Sequence, residues 1–197
     1  MAFDATWRYT SGSLSAIDTT PTPTPTTTTP ARTPGPISGD TSLALLEAMN
    51  KARKDYGVSP ISWTSGLSKK AWTQAQHCSW DYSFPNVQDQ YPDAQVAVAM
   101  TTPLVDGITN GFLSPAYAYN YSTPGVDGDN VYARGLTQIV WRQTKAVGCA
   151  WNKCTGLTGF GANEDAQLIT CWFDAQGTYL PGNTVSFELN MPLKLTA

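Results

Sequence analysis

The chain has one histidine and four cysteines among 197 residues, and only 14% of its positions are charged. Each shortage excludes something. Twelve basic residues against fifteen acidic ones leave a net charge of −3 and no basic stripe, the wrong balance for displacing counterions from nucleic-acid phosphates. No apolar run approaches the length of about 18 residues that a bilayer-spanning helix requires. Met1-Ala2-Phe3-Asp4 lacks the charged head and apolar block of a signal peptide. The single histidine, His77, has no second histidine four residues away, and no Gly-x-Ser-x-Gly occurs, so a Ser-His-Asp triad is not legible. Paired carboxylates for glycoside hydrolysis are not marked out among the fifteen acids. The expectation is a protein that is not an enzyme and uses no cofactor.

What is present falls into segments. Residues 1–18 contain Phe3, Trp7, Tyr9, Leu14 and Ile17, enough to dock on something but too few to fold alone. Residues 19–37 are almost pure Thr and Pro, and proline denies the backbone both helix and ladder, so an extended linker or stalk is expected. A folded domain over 38–190 and a tail over 191–197 complete the division. Cys149, Cys154 and Cys171 cluster late in the chain and Cys78 stands apart; without any Cys-x-x-Cys, the spacing favours disulfides over zinc and an oxidising, extracellular setting. Asn120-Tyr121-Ser122 is an N-glycosylation sequon.

Within the domain, Asp40 or Thr41 can cap a helix carrying Leu43, Leu46, Met49 and Ala52 at helical spacing, with Gly57 ending it. Pro60-Ile61-Ser62-Trp63 reads as a connector, and Thr64 or Ser65 starts a second helix that runs to Cys78. Loops are expected from Ser79 to about Thr102, a third helix from Pro103 to about Phe112, and a long loop from Ser114 to Asn130. Val147–Trp151 and Gln167–Phe173 read as strands from their β-branched and aromatic content, with glycines at 156, 159 and 161 turning the chain between them. This is a mixed α+β pattern.

Two stretches carry a family resemblance. Thr137-Gln138-Ile139-Val140-Trp141 followed by Val147-Gly148-Cys149-Ala150 resembles the first signature of the CAP superfamily, which comprises cysteine-rich secretory proteins, antigen 5 and pathogenesis-related 1 proteins. Ile169-Thr170-Cys171-Trp172-Phe173 with Gly177 and Tyr179 resembles the second. The Thr/Pro-rich lead-in points to a fungal member. The resemblance implies a three-layer α-β-α sandwich and the pairs Cys78–Cys149 and Cys154–Cys171. Many members carry a cavity of two His and two Glu that can hold a divalent metal, ligands suited to zinc. The corresponding positions here are Tyr82 (or Phe84), Ala94, Gly111 and Gly135, so no metal is expected.

What the resemblance leaves is non-covalent binding. Fungal and plant relatives bind sterols and fatty acids, and Phe112, Tyr117, Tyr119 and Tyr121 fall where the sterol loop would be, rings whose faces and hydroxyls suit a sterol. Fatty acid would instead use a groove between helices involving Leu43, Leu46 and Met49. The expected function is therefore a secreted, monomeric, pathogenesis-related protein that binds a sterol, a fatty acid or an extracellular partner, with host–pathogen contact as one setting. The competing expectations are an extracellular hydrolase with a relocated site and a protein-binding module held at a cell wall.

Overall fold

A computed structural model describes residues 33–78, 94–100, 111–113, 119–124, 133–157, 162–175 and 184–195. The chain divides into two units, Met1–Thr33 and Pro34–Ala197, and the described elements belong to the second. In chain order they are β1 (Gly35–Pro36), α1 (Gly39–Asp55), β2 (Ser62–Trp63), α2 (Ser65–Ala75), β3 (Ala94–Met100), α3 (Arg134–Val140), β4 (Ala146–Thr155), β5 (Asp165–Phe173) and α4 (Thr184–Asn190).

The centre is the antiparallel pair β4–β5, in register from Val147 opposite Phe173 to Thr155 opposite Asp165. β3 runs antiparallel along the far side of β5. The free side of β4 is shared by two short pieces: β2 pairs parallel at Ala146 and Val147, and β1 antiparallel at Ala150 and Trp151. Pro36 is tolerated there because an edge position need not donate. Ile37, next in line, is buried and donates its N–H to the Cys149 carbonyl at 2.8 Å. The described chain thus enters the sheet at Gly35, inside the stretch expected to be linker.

Successive strand residues face opposite sides, and the two faces are covered by different helices. Val147, Cys149, Ile169, Cys171 and Phe173 join Leu45 and Met49 of α1, Ile139 and Val140 of α3, and Phe187 of α4 in the main core. On the opposite face Ala150 and Trp172 meet Leu67, Ala71 and Ala75 of α2. Gly148 belongs to this second face and sits under the first turn of α2. A Cβ there would meet the Ser68 nitrogen and stand 2.6 Å from the Thr64 carbonyl oxygen, so only glycine fits.

The helix starts follow local chemistry. Thr64 caps α2, its hydroxyl accepting from Leu67 N–H at 3.3 Å. For α1 the cap position is Ser38 rather than Asp40 or Thr41, and its side chain makes no capping bond. Two expectations need correction. The loop region expected from Ser79 to Thr102 contains β3, whose Ala-rich sequence shows little intrinsic strand preference and is held by pairing with β5. The connector Pro60–Trp63 includes β2. The third helix lies outside the described residues except for its expected end at Gly111 and Phe112.

The disulfide pairing is also corrected. The bridges are Cys149–Cys171 and Cys78–Cys154, with no free cysteine. Strand geometry explains it. Cys149 and Cys171 are register partners with Cα atoms 4.1 Å apart. Cys154 is five residues beyond Cys149, an odd step, and so faces the α2 side, where α2 delivers Cys78. By loop-closure entropy the two bridges contribute roughly 3 and roughly 4.5 kcal/mol respectively.

Candidate functional site

The first signature forms α3 and its exit. Ile139, Val140 and Trp141 are core residues, and Thr137 and Gln138 are fully buried. Thr137 Oγ1 donates to the Ala133 carbonyl at 2.8 Å, and Gln138 Nε2 donates to Thr144 Oγ1 at 3.1 Å and to the Ala175 carbonyl at 2.9 Å. The polar pair of the signature is thus engaged within the fold.

Beneath this turn lies a residue that neither composition nor motif singles out. Arg53 of α1 is fully buried and donates to four carbonyls: Ser59 at 2.6 Å, Ile139 at 2.6 Å, Trp141 at 3.0 Å and Thr144 at 3.2 Å. Two of these belong to the C-terminal end of α3, where the helix dipole favours a cation. Burial lowers its pKa to about 10, opposed by the Asp174 carboxylate, so the guanidinium stays charged at neutral pH. Its only sequence signal is a basic residue in the last turn of an amphipathic helix, which more often faces water. Asn50, on the preceding turn of α1, likewise ties down backbone, donating to the Ile61 carbonyl at 3.0 Å and accepting from Ile61 N–H at 2.8 Å.

Of the four positions where the family cavity would be built, Gly135 is the most informative. A Cβ at residue 135 would stand 2.5 Å from Cδ1 of Phe112 and 3.1 Å from its Cβ and Cγ. Phe112 is itself buried in the main core. The volume that an imidazole would need is filled by a phenyl ring. Gly111 is half-buried beside it and contributes no side chain. Ala94 is the first residue of β3, and Tyr82 lies outside the described residues. Among the described residues no group of three or more His, Cys, Asp or Glu could hold a metal ion. Of the positions that are described, Gly135, Gly111 and Ala94 carry no side chain able to ligate a cation.

The tyrosine loop is only partly placed, since Tyr117 lies outside the described residues. Tyr119 is buried and stacked on Phe187, ring centroids 6.4 Å apart, and meets Tyr121 edge-on at 4.9 Å. Phe187 in turn meets Trp141 edge-on at 5.1 Å, so these rings run from the loop to the signature. Tyr121 donates its hydroxyl to the Pro192 carbonyl at 2.6 Å. Burial, with neighbouring Tyr56, raises its pKa to about 12. His77 follows the last turn of α2, next to the bridged Cys78.

A different surface is open. A shallow, wide-open depression of about 540 Å³ lies along one face of α1, lined by Leu43, Leu46, Glu47, Asn50, Lys51 and Lys54. Leu43 is 64% exposed and Leu46 half-buried, whereas Met49 is in the core. Leucines lie at the N-terminal end of this stripe and lysines at the C-terminal end. At 1.5 Å per residue, Leu43 and Lys54 are about 16 Å apart along the axis.

Comparison with known proteins agrees with this architecture. The family model described as the cysteine-rich secretory protein family, CAP, matches residues 46–173. Pathogenesis-related protein 1 of Arabidopsis thaliana is 27% identical over 142 residues, covering 71% of this chain and 80% of the relative. Fruiting body protein SC7 of Schizophyllum commune is 26% identical over 151 residues, covering 76% and 69%. The solved structure of Schistosoma mansoni venom allergen-like protein 4 superposes with a TM-score of 0.53 at 23% identity, over 70% of this chain and 90% of that one. With the matched span running from α1 to the end of β5, the chain belongs to the CAP family.

Proposed function

We propose that this protein acts outside the cell as a non-catalytic binding protein of the pathogenesis-related type, holding a single-chain lipid with an anionic head group. The observation that carries the reading is the α1 groove. Leu43 and Leu46 offer apolar surface to an acyl chain, and Lys51 and Lys54 lie within one chain length to meet a carboxylate. Lys51 already pairs with Asp55 at 3.4 Å, but that exposed contact contributes little and can be exchanged.

Three observations support the rest. The Phe112 ring over Gly135 argues against the family's cation chemistry. All four thiols are bridged, which fits an oxidising compartment and leaves no cysteine nucleophile. The tyrosine loop supports a sterol site less well than the groove supports a fatty acid, because Tyr119 is turned inward and the Tyr121 hydroxyl is engaged by Pro192.

Titration with a fluorescent long-chain fatty acid tests the proposal. Saturable binding at one site per chain is expected, weakened at least tenfold by Leu43→Asp and by the double change Lys51→Glu, Lys54→Glu. Uptake no better than that of an unrelated protein of equal charge, or uptake indifferent to both variants, would refute it.

A further inference from the structure

The turn that follows Tyr119 and contains Tyr121 has its own chemistry. Asn120-Tyr121-Ser122 is the only Asn-x-Ser/Thr sequence in the chain, and no proline occupies its middle or following position. In the fold Asn120 opens a turn: its carbonyl accepts from Thr123 N–H at 3.4 Å, and its side-chain oxygen accepts from Ser122 N–H at 3.0 Å. Asn120 is half-buried, whereas Tyr121, Ser122 and Thr123 are exposed. The flanks are anchored, Tyr119 on Phe187 and Tyr121 on the Pro192 carbonyl, so the turn projects from a fixed base. A sequon on an exposed turn is where a bulky hydrophilic group can be added without entering the core.

We propose that Asn120 carries an N-linked oligosaccharide, transferred when the chain passes through a eukaryotic secretory compartment. The donor is a polyprenyl-pyrophosphate-linked oligosaccharide. The amide nitrogen of Asn120 forms a bond to C1 of the first sugar, the C1–oxygen bond to the pyrophosphate breaks, and the pyrophosphate leaves with the electron pair. The amide nitrogen gives up one proton. A sugar rooted between Tyr119 and Tyr121 puts a hydrated chain on this face and prevents a flat sterol from lying across it.

The proposal rests on the reading of the protein as exported, so its test separates the two. The full chain, preceded by a heterologous signal sequence, is translated into microsomes and the luminal product is treated with peptide:N-glycosidase. The expected result is a shift to faster migration with conversion of residue 120 to Asp. The shift is lost completely in Asn120→Gln and in Ser122→Ala, and kept in Ser122→Thr. A luminal, protease-protected chain whose Asn120 peptide is unmodified overturns the proposal whatever the native compartment. The fatty-acid titration, performed on unglycosylated protein, is unaffected by either outcome.

Discussion

Gly135 and Phe112 decide more than any other pair of residues. The ring occupies the space that a side chain at 135 would enter, with 2.5 Å left to a Cβ. Gly135→His therefore overpacks the core and costs about 1–3 kcal/mol or more. Phe112→Ala leaves a cavity and costs about 3–5 kcal/mol. Because the two changes act on one volume, the double variant is expected to cost less than their sum, a coupling that denaturant unfolding of the four proteins measures. Strict additivity would place the ring elsewhere. Arg53 makes a second residue-scale prediction. Removing its guanidinium takes a donor from the buried carbonyls of Ile139 and Thr144 and from those of Trp141 and exposed Ser59, and Arg53→Ala should destabilise by about 3 kcal/mol or more. Lysine restores charge without the fork and recovers only a fraction of that loss in the same unfolding assay.

Among the elements, much was legible and the exceptions have physical causes. α1, α2, β4 and β5 announce themselves through period and composition, and the α+β class follows from them. β3 did not, because Ala94-Gln95-Val96-Ala97 becomes a strand through its neighbour and not through its own preference. The disulfide pairs follow from register as well as parity: an odd step places Cys149 and Cys154 on opposite faces, and only the pairing of β4 with β5 sets Cys149 opposite Cys171. Peptide mapping of the unreduced protein should recover Cys149 linked to Cys171 and Cys78 to Cys154; a Cys78–Cys149 peptide would contradict the sheet register. The site was less legible than the scaffold. The ring that closes Gly135 depends on a tertiary contact, and the burial of Arg53 leaves no local mark.

The chain after α4 is an element of its own kind. Leu195 N–H donates to the Asp55 carbonyl at 2.9 Å, and the Pro192 carbonyl accepts from Tyr121. Burial, together with neighbouring Tyr56, favours the protonated phenol of Tyr121 and raises its pKa to about 12. The folded value lies above the unfolded one of 10.0. The stabilisation is therefore complete below about pH 10 and is lost as the pH rises through about 12. Tyr121→Phe should remove that alkaline component and cost about 1 kcal/mol at neutral pH, read from thermal melts across the alkaline range. An unchanged alkaline profile would show that the hydroxyl contributes nothing to holding the tail.

At the scale of the molecule, this CAP domain is cross-braced by two disulfides, and the Phe112 ring closes the space over Gly135. The proposed binding surface is the leucine-to-lysine stripe of α1. Native mass spectrometry of the full chain, incubated together with a long-chain fatty acid and zinc, tests this most directly. One acyl adduct per chain and no bound zinc is the predicted spectrum. A stoichiometric zinc adduct, or a chain that carries no lipid, would contradict it.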